Sequence, residues 1–101
     1  MDAQYKKGVL DLCVLSQLVK GDQYGYELTE TISKELDITA GTLYLVMKRM
    51  RDSGYVETYL VESPAGPARK YYRLTAEGKK RQKEQSGEWA AFVKKVGKLI
   101  R

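Results

Sequence analysis

The stretch Thr39-Ala40-Gly41-Thr42-Leu43-Tyr44-Leu45-Val46-Met47-Lys48-Arg49-Met50-Arg51-Asp52-Ser53-Gly54 decides the fold. Leu43, Met47 and Met50 recur at i, i+4 and i+7, which gives one apolar stripe at helical spacing. Thr39 is a good N-cap because its hydroxyl can accept a backbone N–H of the first turn. Gly54 stands where a helix closes on a left-handed residue. The spacing therefore predicts a helix between Thr39 and Gly54, with Ala40, Gly41, Thr42, Tyr44, Leu45, Lys48, Arg49 and Arg51 facing outward.

Upstream, Leu28, Ile32 and Leu36 repeat every four residues and predict a helix over Gly25–Leu36, with Glu27, Thr29, Glu30 and Lys34 pointing out. Two helices of about three turns joined by so short a connection form a helix-turn-helix. Downstream, Val56, Thr58 and Leu60 alternate with Glu57, Tyr59 and Val61, and Lys70, Tyr72 and Leu74 alternate with Tyr71 and Arg73. Both runs are rich in β-branched and aromatic residues, as strands are. Between them Ser63-Pro64-Ala65-Gly66-Pro67-Ala68 reads as a turn. A hairpin directly after a helix-turn-helix is the order of a winged helix.

Further out, a periodic segment over about Ala3–Val19 carries Val9, Leu10, Leu12, Cys13, Val14, Leu15, Leu18 and Val19 on almost every side, so it must be buried on more than one face. Gly21-Asp22 ends it. The last helix starts at Thr75, an N-cap with Glu77 in the favourable first turn. It is polar over Lys79–Glu88 and then shows Trp89, Phe92, Val93, Val96, Leu99 and Ile100 at helical spacing. Gly87 and Gly97 each weaken it by about 1 kcal/mol relative to Ala. Such a helix is marginal alone and needs packing, for which a second copy of the chain is the expected partner. The expected fold is α+β: a winged helix-turn-helix with an N-terminal helix (residues 1–75, DNA-binding) and a C-terminal dimerisation helix (residues 76–101). Dimer contacts are expected from Val9, Leu12, Trp89, Phe92, Val93, Val96, Leu99 and Ile100.

The bulk numbers agree. The 101 residues suit one domain, and 18 Lys and Arg against 13 Asp and Glu leave a net charge of +5, which favours an anionic partner such as nucleic acid. There is no His and one Cys, which excludes a His-based triad and a Cys/His zinc site. Glu27 and Glu30 fall on a polar helix face better explained by solvent than by acid–base work. No cofactor and no enzymatic activity are expected. No apolar run is long enough to span a membrane, Met1–Lys7 has no signal-peptide pattern, and Cys13 reads as a small buried hydrophobe in a reducing cytoplasm.

DNA recognition needs a helix that fits the major groove and charges that hold phosphates. Ala40 and Gly41 are small enough for close approach to the bases. Thr42 and Tyr44 can hydrogen-bond bases or phosphates, and Lys48, Arg49 and Arg51 suit phosphates. Arg69 and Lys70, just after the hairpin tip, can rest against the adjacent backbone or minor groove. Tyr24-Gly25-Tyr26 opens the second helix, whose free N–H groups can bind a phosphate. The two tyrosines read equally as core, hinge or phosphate ligands. The expected contact set is Tyr24, Thr39, Ala40, Gly41, Thr42, Tyr44, Lys48, Arg49, Arg69 and Lys70. The competing readings are a solvated basic helix and a turn with incidental charge.

Tyr24-Gly25-Tyr26-Glu27, Gly41-Thr42-Leu43-Tyr44, and Gly66-Pro67-Ala68-Arg69-Lys70-Tyr71-Tyr72-Arg73-Leu74-Thr75 with Glu77-Gly78 together resemble the PadR-type regulators over nearly the whole chain. The resemblance implies a cytoplasmic winged-helix transcription regulator, mostly a repressor, dimeric through its terminal helices. Leu45 stands where that family usually has Pro after the motif tyrosine. The single short C-terminal helix resembles the compact subgroup of multidrug-binding repressors. There a Trp pairs with its dimer mate and stacks planar drugs. By that resemblance Trp89, Leu12, Ser16 and Val93 would line a central pore, with Tyr5 and Gly8 at its edge and a planar hydrophobic molecule as effector. The competing reading is that Trp89 is simply a dimer-core residue, since a Trp in an apolar stripe is more often packing than a ligand clamp. The expected partners are thus double-stranded DNA, a second copy and a planar effector. The alternative is a small-molecule-binding or protein-interaction module with weak or no DNA binding.

Overall fold

The computed structural model describes residues 9–101. Tyr5, Gly8 and the first residues of the N-terminal segment lie outside the described residues. Seven elements follow in order: α1 (Leu10–Val19), β1 (Gln23–Tyr24), α2 (Gly25–Leu36), α3 (Ala40–Asp52), β2 (Val56–Val61), β3 (Arg69–Leu74) and α4 (Ala76–Leu99). The architecture is the expected α+β winged helix.

The core is built from one face of each element: Leu10, Val14, Leu15 and Leu18 of α1; Leu28 and Ile32 of α2; Leu43, Val46, Met47 and Met50 of α3; Val56 of β2; Tyr72 and Leu74 of β3. Each fully buried large aliphatic side chain there stabilises by about 1.5–3 kcal/mol. On α3 the residues expected outward are all exposed. On α2 one is not. Thr29 is buried and its hydroxyl donates to the Tyr26 carbonyl at 2.9 Å. Gly25, Leu28, Thr29 and Ile32 form one arc, wider than the stripe of every fourth residue, and the back-bonded hydroxyl needs no water there. Cys13 is only half-buried, and burial raises its thiol pKa.

The helix ends are closed by specific groups. Asp37 takes a left-handed conformation (φ 52°) after α2, and Ile38 N–H bonds the Ser33 carbonyl. The α3 end is a Schellman motif: Gly54, at φ 83°, donates to the Arg51 carbonyl and Tyr55 N–H to the Met50 carbonyl. This turn also anchors α4. Thr75 N–H donates to the Tyr55 carbonyl at 3.1 Å, its hydroxyl donates to the Gly54 carbonyl at 2.6 Å, and the same hydroxyl caps Gly78 N–H at 3.0 Å.

The sheet has the order β1-β3-β2, with both pairings antiparallel. The hairpin runs from Val56 opposite Leu74 to Val61 opposite Arg69. The two-residue strand β1 adds Gln23 opposite Tyr72 and Tyr24 opposite Tyr71. It is too short to show an alternation in sequence, so the third strand was invisible there. Among the described residues no helix is long and apolar enough to cross a membrane.

Candidate nucleic-acid interface

The α3 N-terminus is set by Thr39, whose hydroxyl accepts from Thr42 N–H at 3.3 Å and shares a 2.9 Å hydrogen bond with the Thr42 hydroxyl. Ala40 and Gly41 follow, exposed, and a Cβ at Gly41 would meet nothing within 4 Å. The outer side of the helix start is therefore open at Gly41, in the turn that carries unpaired N–H groups. One turn on, Tyr44 and Leu45 are exposed and extend the same outer face.

Tyr44 acts electrostatically on tyrosines of two other elements. Glu30, through charge and a hydrogen bond, holds the Tyr26 phenol above its ordinary pKa, with smaller contributions from Tyr24 and Tyr44. Burial raises Tyr72, with Tyr44 adding to it and Arg51 opposing.

The cations of α3 are exposed but each carries a carboxylate. Lys48 Nζ bridges Asp52 at 3.1 Å, Arg51 reaches Asp52 at 3.9 Å, and Arg49 turns away from its own helix to Asp11 of α1 at 2.5 Å. Such exposed pairs contribute at most about 1 kcal/mol, so a phosphate can exchange with them. Spacing along α3 could not show the Asp11 contact, which joins residues far apart in the chain.

The wing differs. Arg69 and Lys70 begin β3 beside the exposed tip, where Gly66 has φ 119°. Among the described residues neither forms an ion pair. The outer sheet face carries a row of rings: Tyr24 stacks on Tyr71 at 5.9 Å and Tyr71 on Tyr59 at 5.8 Å. The Arg69 guanidinium lies over Tyr24 at 5.1 Å, and that of Arg73 over Tyr59 at 4.9 Å. Arg73 is bonded to Glu57 at 2.9 Å, and the Tyr59 hydroxyl donates to Asp22 at 2.6 Å. Gly25 admits the Tyr72 ring, since a Cβ there would lie 2.8 Å from it.

The expected dimer and ligand residues lie on α1 and α4. Trp89 (45% exposed) and Phe92 (59%) are neighbours at 6.3 Å, and Val93, Leu99 and Ile100 are exposed with them. Val96, Val9, Leu12 and Ser16 are partly buried. Gln82 Nε2 donates to the Ser16 hydroxyl at 3.2 Å, which joins α4 to α1. Trp89 and Val93 follow Gln82 by two and three helical turns, on the same face of α4.

Residues 14–84 match the family model described as the transcriptional regulator PadR-like family. An uncharacterised protein of Lysinibacillus sphaericus is 36% identical over 88 residues, which is 83% of this chain and 81% of that one. A PadR-like transcriptional regulator of Bacillus cereus has a similar structure, with a TM-score of 0.88, 32% identity and 98% of each chain covered. A transcriptional regulator of Clostridium thermocellum matches with a TM-score of 0.86 and 33% identity, over 100% of this chain and 99% of that one. With the helix-turn-helix, the hairpin wing and the motif residues all in place, the chain belongs to the PadR-like family of transcriptional regulators.

Proposed function

We propose that two copies of this chain bind double-stranded DNA as a cytoplasmic homodimer and repress transcription by occluding an operator. The outer face of α3 enters the major groove: Thr39, Ala40, Gly41, Thr42 and Tyr44 meet bases and nearby phosphates, and Lys48 and Arg49 meet the backbone. Arg69 and Lys70 hold the flanking backbone or minor groove, with Tyr24 behind them. The observation that carries this reading is the pairing of an exposed first turn of α3 with a wing whose two cations have no carboxylate partner among the described residues.

The homodimer forms through the apolar stripe of α4, with Val9 and Leu12 of α1. It sets the two recognition helices about one DNA turn, ~34 Å, apart. A planar hydrophobic effector binds between the two Trp89 rings, lined by Leu12, Ser16 and Val93. It relieves repression by favouring a spacing that does not fit DNA. An aromatic pair gives large apolar area with a soft geometric preference, which suits such a ligand.

The test is selection of bound sequences from a random duplex pool, followed by titration over a range of salt with and without planar dyes. A palindromic site with half-site centres ~10 base pairs apart is expected, with affinity lowered by dye. Enrichment of no sequence, with Trp89 emission still quenched by dye, would sink the DNA reading.

A further inference from the structure

The outer face of the sheet holds two arginines in matching positions with unequal partners. Arg69 and Arg73 lie two residues either side of Tyr71 on β3, so all three share one face. Tyr71 pairs with Tyr24 on one side and Tyr59 on the other, which makes a row of three rings across the sheet. Each guanidinium covers an outer ring of that row, Arg69 over Tyr24 and Arg73 over Tyr59. Arg73 is then neutralised by Glu57, while Arg69 meets no carboxylate among the described residues.

We propose that Tyr24 is a positioning residue for DNA binding, its ring holding the Arg69 guanidinium beside the wing tip with its charge left free for a phosphate. A guanidinium stacked on a ring keeps its N–H edge open, because the face-on contact uses none of its donors. An unrestrained arginine side chain loses entropy when it meets a phosphate, and the ring removes part of that cost beforehand. Tyr71 stacks on Tyr24 and supports it, and the hydrogen bond of Tyr59 to Asp22 fixes the far end of the row. Arg73 has its Nε committed to Glu57 and its charge offset there, and takes no part in binding.

The inference rests on the reading of Arg69 as a phosphate contact, and a double-mutant cycle separates the two. The full-length protein is titrated with a labelled duplex of random sequence over a range of salt, using Arg69→Gln, Tyr24→Leu, Tyr24→Phe and the Arg69→Gln/Tyr24→Leu double variant. Leu keeps the apolar bulk and has no π face; Phe keeps the face and lacks the hydroxyl. Thermal midpoints are followed in parallel. Arg69→Gln lowers the salt slope by about 1. Tyr24→Leu weakens binding by about 2- to 5-fold, the range for an exposed cation–π contact. In the Arg69→Gln background it has no further effect, and Tyr24→Phe binds as the parent does. An equal loss from Tyr24→Leu in both backgrounds overturns the positioning role while leaving Arg69 as a contact. An unchanged slope in Arg69→Gln overturns the wing reading and the inference with it.

Discussion

Gly78 lies so close above the Tyr55 carbonyl that a Cβ at position 78 would overlap its oxygen. The same carbonyl accepts from Thr75 N–H, so the first turn of α4 is clamped onto the turn that ends α3. Gly78→Ala must therefore push α4 off this turn or break the Thr75 contacts. The strain, about 1–3 kcal/mol, opposes a helix-propensity gain of at most about 1 kcal/mol. A net loss of about 1–2 kcal/mol lowers the thermal midpoint by several degrees for a domain of this size. An unchanged or higher midpoint would mean that α4 is not held by this contact.

Gly87 gives the converse case. It is helical and exposed on the same helix, and a Cβ there meets nothing within 4 Å. Gly87→Ala gains propensity without a clash and should stabilise by about 0.5–1 kcal/mol. Denaturant midpoints of the two alanine variants should move in opposite directions.

The helices and the hairpin were legible because each obeys a local rule. Leu43, Met47 and Met50 mark one helix face, Thr39 and Thr75 supply cap oxygens, and Gly54 supplies the left-handed residue. What sequence could not show depends on partners distant along the chain. β1 exists only because Gln23 and Tyr24 meet Tyr72 and Tyr71, and two residues have no period of their own. Arg49 reads as a free phosphate ligand from its place on α3, yet Asp11 lies within bonding distance once α1 packs. Thr29 reads as outward by polarity, yet a bond to the Tyr26 carbonyl lets it be buried.

The Asp11–Arg49 pair bears on binding more than on stability. Both side chains are partly exposed, so the pair contributes at most about 1 kcal/mol to the fold. Asp11→Asn releases the guanidinium and removes a negative charge from the α1 edge. Random-sequence duplex should bind more tightly at low salt, with a steeper salt slope, while the thermal midpoint moves little. Weaker binding by Asp11→Asn would show that Asp11 holds Arg49 in its working position and does not compete for it.

Tyr59 gives a pH dependence. Its hydrogen bond to Asp22 is the main cause of a phenol pKa raised above the ordinary value, with burial and the Asp22 charge adding and Arg73 opposing. The folded state thus favours the neutral phenol. The resulting stability is complete below the unfolded-state pKa of about 10 and is lost as pH rises through the higher folded-state value. Tyr59→Phe cannot ionise, so it should be less stable than the parent at neutral pH, and the gap should close in strongly alkaline solution. A gap that is constant across the alkaline range would assign the difference to packing alone.

The apolar stripe of α4 gives the sharpest test of assembly. Val93 is exposed in the single chain, beside Trp89 and Phe92, so Val93→Asp adds a solvated carboxylate to a protomer and leaves its core untouched. In a dimer built on this stripe, the same carboxylate is stripped of water without a partner, at a cost of several kcal/mol. Dimer affinity should fall by more than about a hundred-fold, read by sedimentation equilibrium, while the thermal midpoint of the dilute monomer is unchanged. Operator affinity should fall with it, because two half-sites then have to be filled by independent protomers. Trp89 emission should shift to the red as the indole enters water. A Val93→Asp protein that remains dimeric with parental DNA affinity would place the subunit contact elsewhere, and the proposed effector pocket between the two Trp89 rings would go with it.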